Sequence, residues 1–413
     1  MRVLYLTQYF PPEIGATQTR AYEMAQGLKR AGHEVTILTE FPNHPTGIIP
    51  PEYDGLWTSR ETLDGLDVFR VWVKTSPQKN FKSRMAFYLS YMFMAAWVGV
   101  FLLRGRYDAL YATSPPLFVG GAALAISYLR RIPLFFEVRD LWPESAVQLG
   151  ELNNKTALKL ATWLEEACYR RARHIVVVTE GFKQNLVARG ISAAKISVIP
   201  NGANTDLFQP VPPSPDLRRE LGLAPEQFVV AYTGLHGLAH GLETVLHTAE
   251  LLRRETDITF LLVGDGPCKP DLQALAAELE LPNVIFHPAV AEHDLPAYVS
   301  VADAGLDVRR KIGISTMTLP VKMFSYMACE RPVLLAIEGE AIDVIEASGA
   351  GLVVPPEDAS ALAEAVLLLR DNPAQRLAYG QHGRDYVTEH YSRQKLAARL
   401  TQLLQEKTTP PPS

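Results

Sequence analysis

Residues 233–241 (TGLHGLAHG) form a loop rich in glycine and histidine, placed between an apolar run and a helical pattern. Glycine lets a ligand approach the backbone closely, and a helix N-terminus favours anions. Gly234, His236 and His240 are therefore candidate phosphate contacts, with the alternative that the histidines are solvated loop residues. Neither histidine has other zinc-ligand residue types nearby, so we expect no metal site here.

Positively charged residues follow in the same half of the chain. Arg309, Arg310 and Lys311 come directly after a short apolar run, and Lys322 opens a helical pattern rich in Met and aromatic residues. Cations at strand ends, opposite a glycine loop, suit a diphosphate. The alternative for the triplet 309–311 is a solvated charge run.

Two further candidates lie in the first half of the chain. Gly15 stands between the first strand pattern and the first helix pattern, where it is either a phosphate contact or a plain turn residue. The segment 136–145 (FEVRDLWPES) packs three acids, an Arg and a Trp at a strand end. Buried strand ends seldom carry so many charges unless they line a site.

The elements that must position these residues alternate between strands and helices. Apolar runs predict strands at residues 3–7, 34–39, 69–73, 110–113, 133–138, 174–178, 196–199, 228–233, 258–263, 284–286, 332–336 and 351–354. Helical spacing of apolar residues lies between many of them, as at 18–29, 242–253, 270–279 and 359–369. Such alternation predicts parallel sheets covered on both faces, whose ligands bind beyond the carboxyl ends of the strands.

Length and composition favour two domains. The chain has 413 residues, and four prolines in residues 210–215 interrupt the alternation. Residues 1–205 carry 23 Lys+Arg and 17 Asp+Glu, a balance of +6, which leaves 17 basic and 28 acidic groups, or −11, for residues 206–413. An apolar fraction of 47% excludes a disordered or coiled-coil protein, and three cysteines exclude a disulfide framework. The fingerprint G-x-G-x-x-G is absent, which argues against a nicotinamide enzyme.

Residues 85–103 form an uncharged apolar run of 19 residues with basic residues on both sides. About 20 such residues span a bilayer. Spanning would separate two neighbouring strand patterns that look like members of one sheet. The other two interpretations are a buried core helix and a helix lying at the surface of an anionic membrane.

Several segments together resemble one family. EVRDLWPES, ISVIPNGANTDLFQP, LLVGDGPCKPDL, YMACERPV and GAGLVVPPEDASALAEAV occur in the order and spacing of family 4 glycosyltransferases. The resemblance implies the α/β GT-B fold, in which two doubly wound Rossmann-like domains face each other across a cleft. Residues 1–205 would bind the acceptor, with a C-terminal helix at about 390–408 packing back on them. Residues 206–389 would bind the nucleotide sugar.

The resemblance also implies a reaction. A retaining, metal-independent enzyme without a cofactor would move a sugar from a nucleoside diphosphate, expected to be UDP, to a polyprenyl-diphosphate-linked saccharide. EVRDLWPES is most similar to the branch that builds bacterial surface polysaccharides such as lipopolysaccharide and exopolysaccharide, including N-acetylfucosaminyl transferases. We therefore expect a cytoplasmic protein on the inner face of the cytoplasmic membrane, with no nucleic-acid partner.

Residue chemistry and the family resemblance together predict roles for individual residues. Catalytic roles fall to Asp140, Arg139 and Lys322, and acceptor-side roles to Glu137 and Glu144. Donor-binding roles fall to Gly15, Gly234, His236, His240, Arg309, Arg310, Ser325, Gly339 and Glu340.

The chain departs from the family at the donor site. Met317 and Ser325 stand where relatives have two glutamates, and His236 and His240 stand where relatives have an Arg and a Lys. We expect Lys322, in the sequence Pro320-Val321-Lys322, to replace the missing cation. Two alternatives remain: a nucleotide-sugar 2-epimerase of the same fold, and a non-catalytic partner subunit.

Overall fold

The computed structural model describes residues 1–13, 15–44, 46–77, 81–148, 154–311 and 313–408. The chain divides into two compact units. The first contains Met1–Pro200 together with Gln394–Ser413, and the second contains Asn201–Arg393. Sequence analysis placed this division at residues 205 and 206, within the segment that leads up to the prolines.

The first unit is built on a sheet that has eight strands within the described residues. In chain order they are β1 (Arg2–Leu6), β2 (Glu34–Glu40), β3 (Thr58–Leu63), β4 (Leu66–Val71), β5 (Ala109–Ser114), β6 (Leu134–Val138), β7 (His174–Val177) and β8 (Ile196–Val198). The spatial order is β3-β4-β2-β1-β5-β6-β7-β8. The antiparallel pairing of β3 with β4 contrasts with the parallel pairing of the other neighbouring strands.

Helices cover this sheet. They are α1 (Ala16–Arg30), α2 (Phe81–Trp97), α3 (Phe118–Arg130), α4 (Glu144–Gln148), α5 (Lys155–Arg171) and α6 (Glu180–Ala188). Long apolar strands such as β1 and β5 are buried on both faces, as a parallel sheet between helical layers requires.

The second unit repeats this design with a parallel sheet of six strands among the residues that the structure describes. These are β9 (Phe228–Thr233), β10 (Ile258–Val263), β11 (Val284–His287), β12 (Ala304–Val308), β13 (Val333–Ala336) and β14 (Gly351–Val353), in the order β11-β10-β9-β12-β13-β14. Its helices are α7 (Pro215–Glu220), α8 (Glu243–Leu251), α9 (Lys269–Glu278), α10 (Leu295–Ser300), α11 (Val321–Ala328), α12 (Glu340–Ser348), α13 (Ala359–Asp371) and α14 (Pro373–His390).

Alternate residues of the central strand β9 enter opposite apolar cores. Val230 and Tyr232 pack with α8 and α13 on one face, whereas Val229 and Ala231 pack on the other. This period of two is what a strand between two helical layers requires. The strand is thereby fixed in register, and the loop after Thr233 begins at a defined edge of the sheet.

The last helix, α15 (Arg393–Thr408), packs into the core of the first unit. Leu396, Leu400 and Leu404 have no exposed surface and lie with Met24 and Leu28 of α1. The Cβ that Gly27 lacks would lie 2.3 Å from the Cβ of Ala397, so only glycine allows this approach of the two helices.

Candidate functional site

Two loops at the carboxyl edge of the second sheet pack backbone against backbone. The glycine- and histidine-rich loop, residues 234–241, follows β9, and a short glycine turn, residues 264–266, follows β10. The amide of His236 donates to the carbonyl of Asp265 at 2.9 Å. The Cβ that Gly264 lacks would lie 1.8 Å from the carbonyl oxygen of Gly234. A side chain at position 264 would therefore push the two loops apart.

Lys322 lies beneath the glycine- and histidine-rich loop. Its side chain extends from the first turn of α11 and is 12% exposed. The amino nitrogen lies 3.6 Å from the centroid of the Tyr232 ring, a cation–π contact. The Cβ that Gly234 lacks would lie 3.4 Å from Cε of Lys322. The ammonium group is therefore held between the end of β9 and the loop that sequence analysis assigned to phosphate.

Asp307 completes this cluster and was missed by sequence analysis. It lies in β12, has no exposed surface, and places Oδ1 3.8 Å from Nζ of Lys322 and 3.9 Å from Nε of Arg309. Neither carboxylate oxygen has a hydrogen-bond partner among the described residues. One acid in an otherwise apolar strand (AGLDV), two residues before an arginine, was the sequence signal for it.

The two histidines of the loop have pKa values well below the ordinary value, with His236 buried and His240 half-buried. Burial, followed by the charges of Lys269 and Lys322, lowers the pKa of His236 to about 4. Burial, followed by Lys322 and Arg309, lowers the pKa of His240 to about 3. Both ring nitrogens of His236 and Nδ1 of His240 have no hydrogen-bond partner among the described residues. Each ring is therefore ready to bond to a ligand.

The remaining predicted donor-site residues lie in different surroundings. Arg309 joins the cluster, whereas Arg310 donates to Glu243 at 2.8 Å and, through its amide, to Ala239, so it supports the loop. Ser325 is almost fully buried, and its hydroxyl donates to the carbonyl of Val321 in its own helix. The predicted contact of Ser325 with ribose remains a prediction.

A second glycine contact lies at the end of β13. Gly339 precedes α12 with φ of 97°, in the left-handed region, and Glu340 begins the helix. The Cβ that Gly339 lacks would lie 1.9 Å from the carbonyl oxygen of Thr316, in the 3-10 turn Gly313–Met317. Gly339 therefore sets the position of the turn that contains Met317.

In the first unit, Glu137 is a buried anchor for basic side chains. Its Oε1 accepts hydrogen bonds from Arg20 at 2.8 Å and Tyr111 at 2.7 Å, and its Oε2 accepts one from Thr113 at 2.5 Å. Burial acts to raise the pKa of Glu137, but Arg20 and Arg139 hold that pKa below its ordinary value. The side chain has no exposed surface. In place of the expected acceptor contact, Glu137 supports Arg139.

Arg139 presents a free donor at the end of β6. Its Nε donates to Thr113 at 3.0 Å and lies 3.6 Å from Glu137, while Nη2 is buried without a hydrogen-bond partner among the described residues. Asp140 follows it and is half-buried, and Glu144 begins α4, where Asn185 donates to it at 3.4 Å.

Gly15 caps α1, and its missing Cβ would lie 2.7 Å from Oε1 of Gln18.

A pocket of about 360 Å³ opens at the carboxyl ends of β1, β2 and β4 in the first unit. Polar and aromatic side chains line it, including Tyr9, Asn43, Ser76, Arg84, Phe87 and Tyr88. Glu13 fixes one wall, because its Oε1 accepts from the amides of Asn43 and His44 at 2.7 and 2.8 Å. The lining comes from four separate segments, so no local sequence pattern predicts this pocket.

The apolar helix α2 begins beside this pocket and packs on the sheet by one face. Tyr91 is fully buried and donates from its hydroxyl to the carbonyls of Thr7 and Leu38. Residues Lys82–Leu102 form one continuous helical segment that is long and apolar enough to cross a membrane, yet only 22% of its most apolar stretch is buried. Large apolar side chains remain exposed, namely Phe93, Trp97, Phe101 and Leu102.

No group of three or more His, Cys, Asp or Glu side chains is placed to hold a metal ion among the residues that the structure describes.

Comparison with known proteins gives matches along most of the chain. Residues 15–202 match the glycosyl transferase 4-like domain, and residues 227–372 match glycosyl transferases group 1. WcaI of Escherichia coli (strain K12), named for colanic acid biosynthesis glycosyl transfer, is 24% identical over 91% of this chain and 95% of its own length.

A GDP-mannose-dependent alpha-(1-6)-phosphatidylinositol monomannoside mannosyltransferase of Mycolicibacterium smegmatis is 30% identical over 52% of this chain, which spans 58% of that relative. The crystal structure of Anabaena Alr3699/HepE in complex with UDP-glucose superposes with a TM-score of 0.73 at 18% identity, over 98% of this chain and all of that one. The two sheets and this superposition give the GT-B fold. By its two domain matches, the chain belongs to the glycosyltransferases with a family 4-like N-terminal domain and a group 1 C-terminal domain.

Proposed function

We propose that this glycosyltransferase moves a sugar from a nucleoside diphosphate, bound by the second unit, to a lipid-linked saccharide, bound by the first. One observation carries the proposal: Lys322, His236 and Arg309 each have a buried nitrogen with no hydrogen-bond partner among the described residues. Leaving buried polar groups without partners costs free energy. A diphosphate at the glycine- and histidine-rich loop would satisfy them and would neutralise the two cations.

The proposed reaction retains the configuration of the sugar and uses no metal ion. The bond from the sugar C1 to the diphosphate oxygen breaks, and a bond from C1 to the acceptor oxygen forms on the same face. The acceptor proton passes to the departing phosphate, so no strong enzymatic base is required. Lys322 and Arg309 would stabilise the negative charge that develops on the leaving group. Asp140 would orient the acceptor hydroxyl, and Arg139 would present its free Nη2 to the same side.

The donor nucleotide in this proposal is UDP. The Anabaena neighbour was crystallised with UDP-glucose, whereas the mycobacterial relative is named for GDP-mannose. The resemblance of EVRDLWPES to the surface-polysaccharide branch favours a UDP-linked sugar, with N-acetylfucosamine as one candidate. The name of WcaI, which refers to colanic acid biosynthesis, supports an acceptor in that class of pathway.

The first-unit pocket is the proposed acceptor site. Aromatic faces and hydroxyl, amide and guanidinium groups line it together, and this mixture suits the apolar faces and polar edges of a sugar ring. The exposed face of α2 begins next to the pocket, with Arg104 and Arg106 beyond its end. A lipid carrier could therefore lie along this face while the enzyme rests on the cytoplasmic side of an anionic membrane.

Donor binding by matched lysine variants tests the proposal. Isothermal calorimetry should give binding for UDP-glucose, with GDP-mannose as the control nucleotide. Lys322→Ala should weaken that binding about tenfold to a hundredfold, the cost of losing a charged hydrogen-bond donor. The exposed Lys311→Ala variant should bind like the unaltered protein. Equal affinities for the Lys322 and Lys311 variants would contradict the assignment of the diphosphate to this cluster.

A further inference from the structure

Asp307 combines complete burial with two nearby cations whose nitrogens lie beyond ordinary hydrogen-bond distance. Its carboxylate lies 3.8 Å from the Lys322 ammonium and 3.9 Å from Nε of Arg309, and neither nitrogen has a hydrogen-bond partner among the described residues. We propose that Asp307 is a positioning residue that holds Lys322 at the glycine- and histidine-rich loop and keeps it ready to take up a proton when a sugar diphosphate binds. This inference rests on the proposed donor site.

The distances from Asp307 to Lys322 and Arg309 indicate a role in binding a ligand. A buried carboxylate without hydrogen bonds is costly, and a carboxylate kept for fold stability is normally saturated, as Glu137 is. At 3.8 and 3.9 Å, Asp307 acts on Lys322 and Arg309 mainly through its charge, so their N–H groups stay available to a ligand. A lysine can give three such donors to phosphate oxygens. The arrangement thus preserves the donors that a diphosphate needs.

The groups around Lys322 let its ammonium give up a proton more readily than that of an exposed lysine. Burial lowers the pKa of Lys322 to about 7, Asp307 acts in the opposite direction, and Arg309 adds to the lowering. The titratable and charged groups that face it are Tyr232 on β9, His236 and His240 on the loop, and Asp307 and Arg309 at the end of β12. Tyr326, on the same helix as Lys322, interacts with Asp307.

A bound diphosphate would favour the protonated lysine, because an added negative charge raises the pKa of a nearby ammonium. Donor binding above neutral pH would then consume one proton from solution. The two phosphates of a nucleoside diphosphate sugar are both esterified and do not titrate near pH 7. Any linked proton must therefore come to rest on the protein.

Calorimetry in buffers of different ionisation enthalpy measures this proton directly. With UDP-glucose, we expect uptake of close to one proton per site at pH 8 and almost none at pH 6. The dissociation constant should rise about tenfold per pH unit above the lysine's pKa and stay flat below it. Binding with no linked proton anywhere from pH 6 to 9 would overturn the inference.

Two substitutions assign the proton and the positioning role. Lys322→Arg keeps a permanent charge, so it should bind without proton uptake; uptake that persists would place the proton on His236 or His240 and refute the assignment. Asp307→Asn should weaken binding by at least about tenfold at pH 8 and recover as the pH falls, because the lysine then needs more acid to become charged.

A structural defect in the Asp307 variant would instead weaken binding equally at every pH, which would overturn the positioning role. Asp307→Glu retains the charge, so it should restore most of the wild-type pH profile. It also keeps the test decisive if Asp307→Asn fails to fold. Failure of the unaltered protein to bind either sugar nucleotide at any pH would refute the proposed function itself, a result distinct from binding without a linked proton.

Discussion

Each unit contains a buried carboxylate near the carboxyl edge of its sheet, but the two carboxylates act differently. Glu137 accepts hydrogen bonds from arginine, tyrosine and threonine, so its oxygens are saturated. Asp307 makes only longer ion pairs among the described residues, so its cations keep free donors. The hydrogen bonds of Glu137 stabilise the fold of the first unit, whereas the contacts of Asp307 leave N–H groups of Lys322 and Arg309 available to a ligand. Burial alone would not distinguish the two.

Removing the carboxylate of Glu137 should lower the free energy of unfolding of the first unit. Glu137→Ala would leave Arg20 and Arg139 as buried charges without their partner, and breaking a buried ion pair from one side costs about 3–5 kcal/mol. Urea denaturation should report a loss of free energy of unfolding in that range. Glu166→Ala, which removes an exposed pair with Arg170, should change it by less than about 1 kcal/mol. Similar losses for the two variants would show that Glu137 is no anchor.

Residue chemistry in the sequence identified part of the second-unit site. Lys322, His236, His240 and Arg309 were predicted from residue type and from the strand-to-helix setting, and the structure brings them together. Asp307 was missed because burial decides its importance, and a single acid in a short apolar strand does not reveal whether it faces cations. The buried side chain of Glu137 could likewise not be read from the charge cluster around it.

At the scale of elements, the two glycine loops of the second unit act as one surface. Gly264→Ala would place a Cβ 1.8 Å from the carbonyl oxygen of Gly234 and so displace the loop that covers Lys322. We expect sugar-nucleotide affinity to fall at least about tenfold, the equivalent of a single displaced charged hydrogen bond. The control Gly222→Ala lies in the same unit at φ of 72° and meets no atom within 4 Å, so it strains its own turn without displacing the donor loop and should not change the affinity measured by calorimetry.

Unchanged affinity in the Gly264 variant, with the fold intact by circular dichroism, would mean that the glycine turn after β10 does not position the donor loop.

The C-terminal helix α15 should contribute strongly to the first unit's stability. Leu400 is fully buried among α1 and sheet residues, and Leu→Ala changes at such sites cost about 2–5 kcal/mol. Leu400→Ala should therefore lower the midpoint of thermal unfolding clearly. Leu377→Ala removes an exposed leucine of α14 and should change stability by no more than about 0.5 kcal/mol. Equal, small effects would argue against α15 as part of this core.

Apolar runs predicted most strands within a few residues, because central strands of parallel sheets are buried on both faces. The edge strand β3 was missed: its sequence TSRETL is mostly polar, and its antiparallel pairing with β4 leaves it partly exposed. The predicted strand 69–73 was shifted from β4, Leu66–Val71, because the polar residue Asp67 near its start hid the beginning of the strand. The pairing of an edge strand depends on the strand beside it, which a local sequence pattern does not show.

At the scale of the whole molecule, the net charge of −5 is the sum of a basic and an acidic half. The basic half contains the exposed apolar face of α2, and the flanking strands β4 and β5 belong to one sheet. Because Tyr91 ties α2 to β1 and β2 by hydrogen bonds, the helix packs along the sheet of its own unit. A buried core helix would not expose this much apolar surface.

Membrane binding should depend on this face. In sedimentation with anionic phosphatidylglycerol vesicles, the double variant Trp97→Ser with Phe101→Ser should bind at least about tenfold more weakly, because burying each aromatic is worth about 1.5–3 kcal/mol. Trp57→Ser removes a tryptophan that is even more exposed than Trp97, elsewhere in the first unit, and should bind normally. High salt should weaken binding of all the proteins. Binding that depends neither on lipid charge nor on the double substitution would exclude this face of α2 as the membrane contact.

The central claim is transfer of one sugar from a nucleoside diphosphate to a lipid-linked saccharide. Mass spectrometry of a lipid-linked acceptor, incubated with the enzyme and a panel of UDP- and GDP-linked sugars, tests it most directly. We expect one donor to add the mass of a single sugar residue, and we expect Lys322→Ala to slow this addition at least about tenfold. An acceptor of unchanged mass with every donor, or a donor sugar that is merely epimerised, would contradict it.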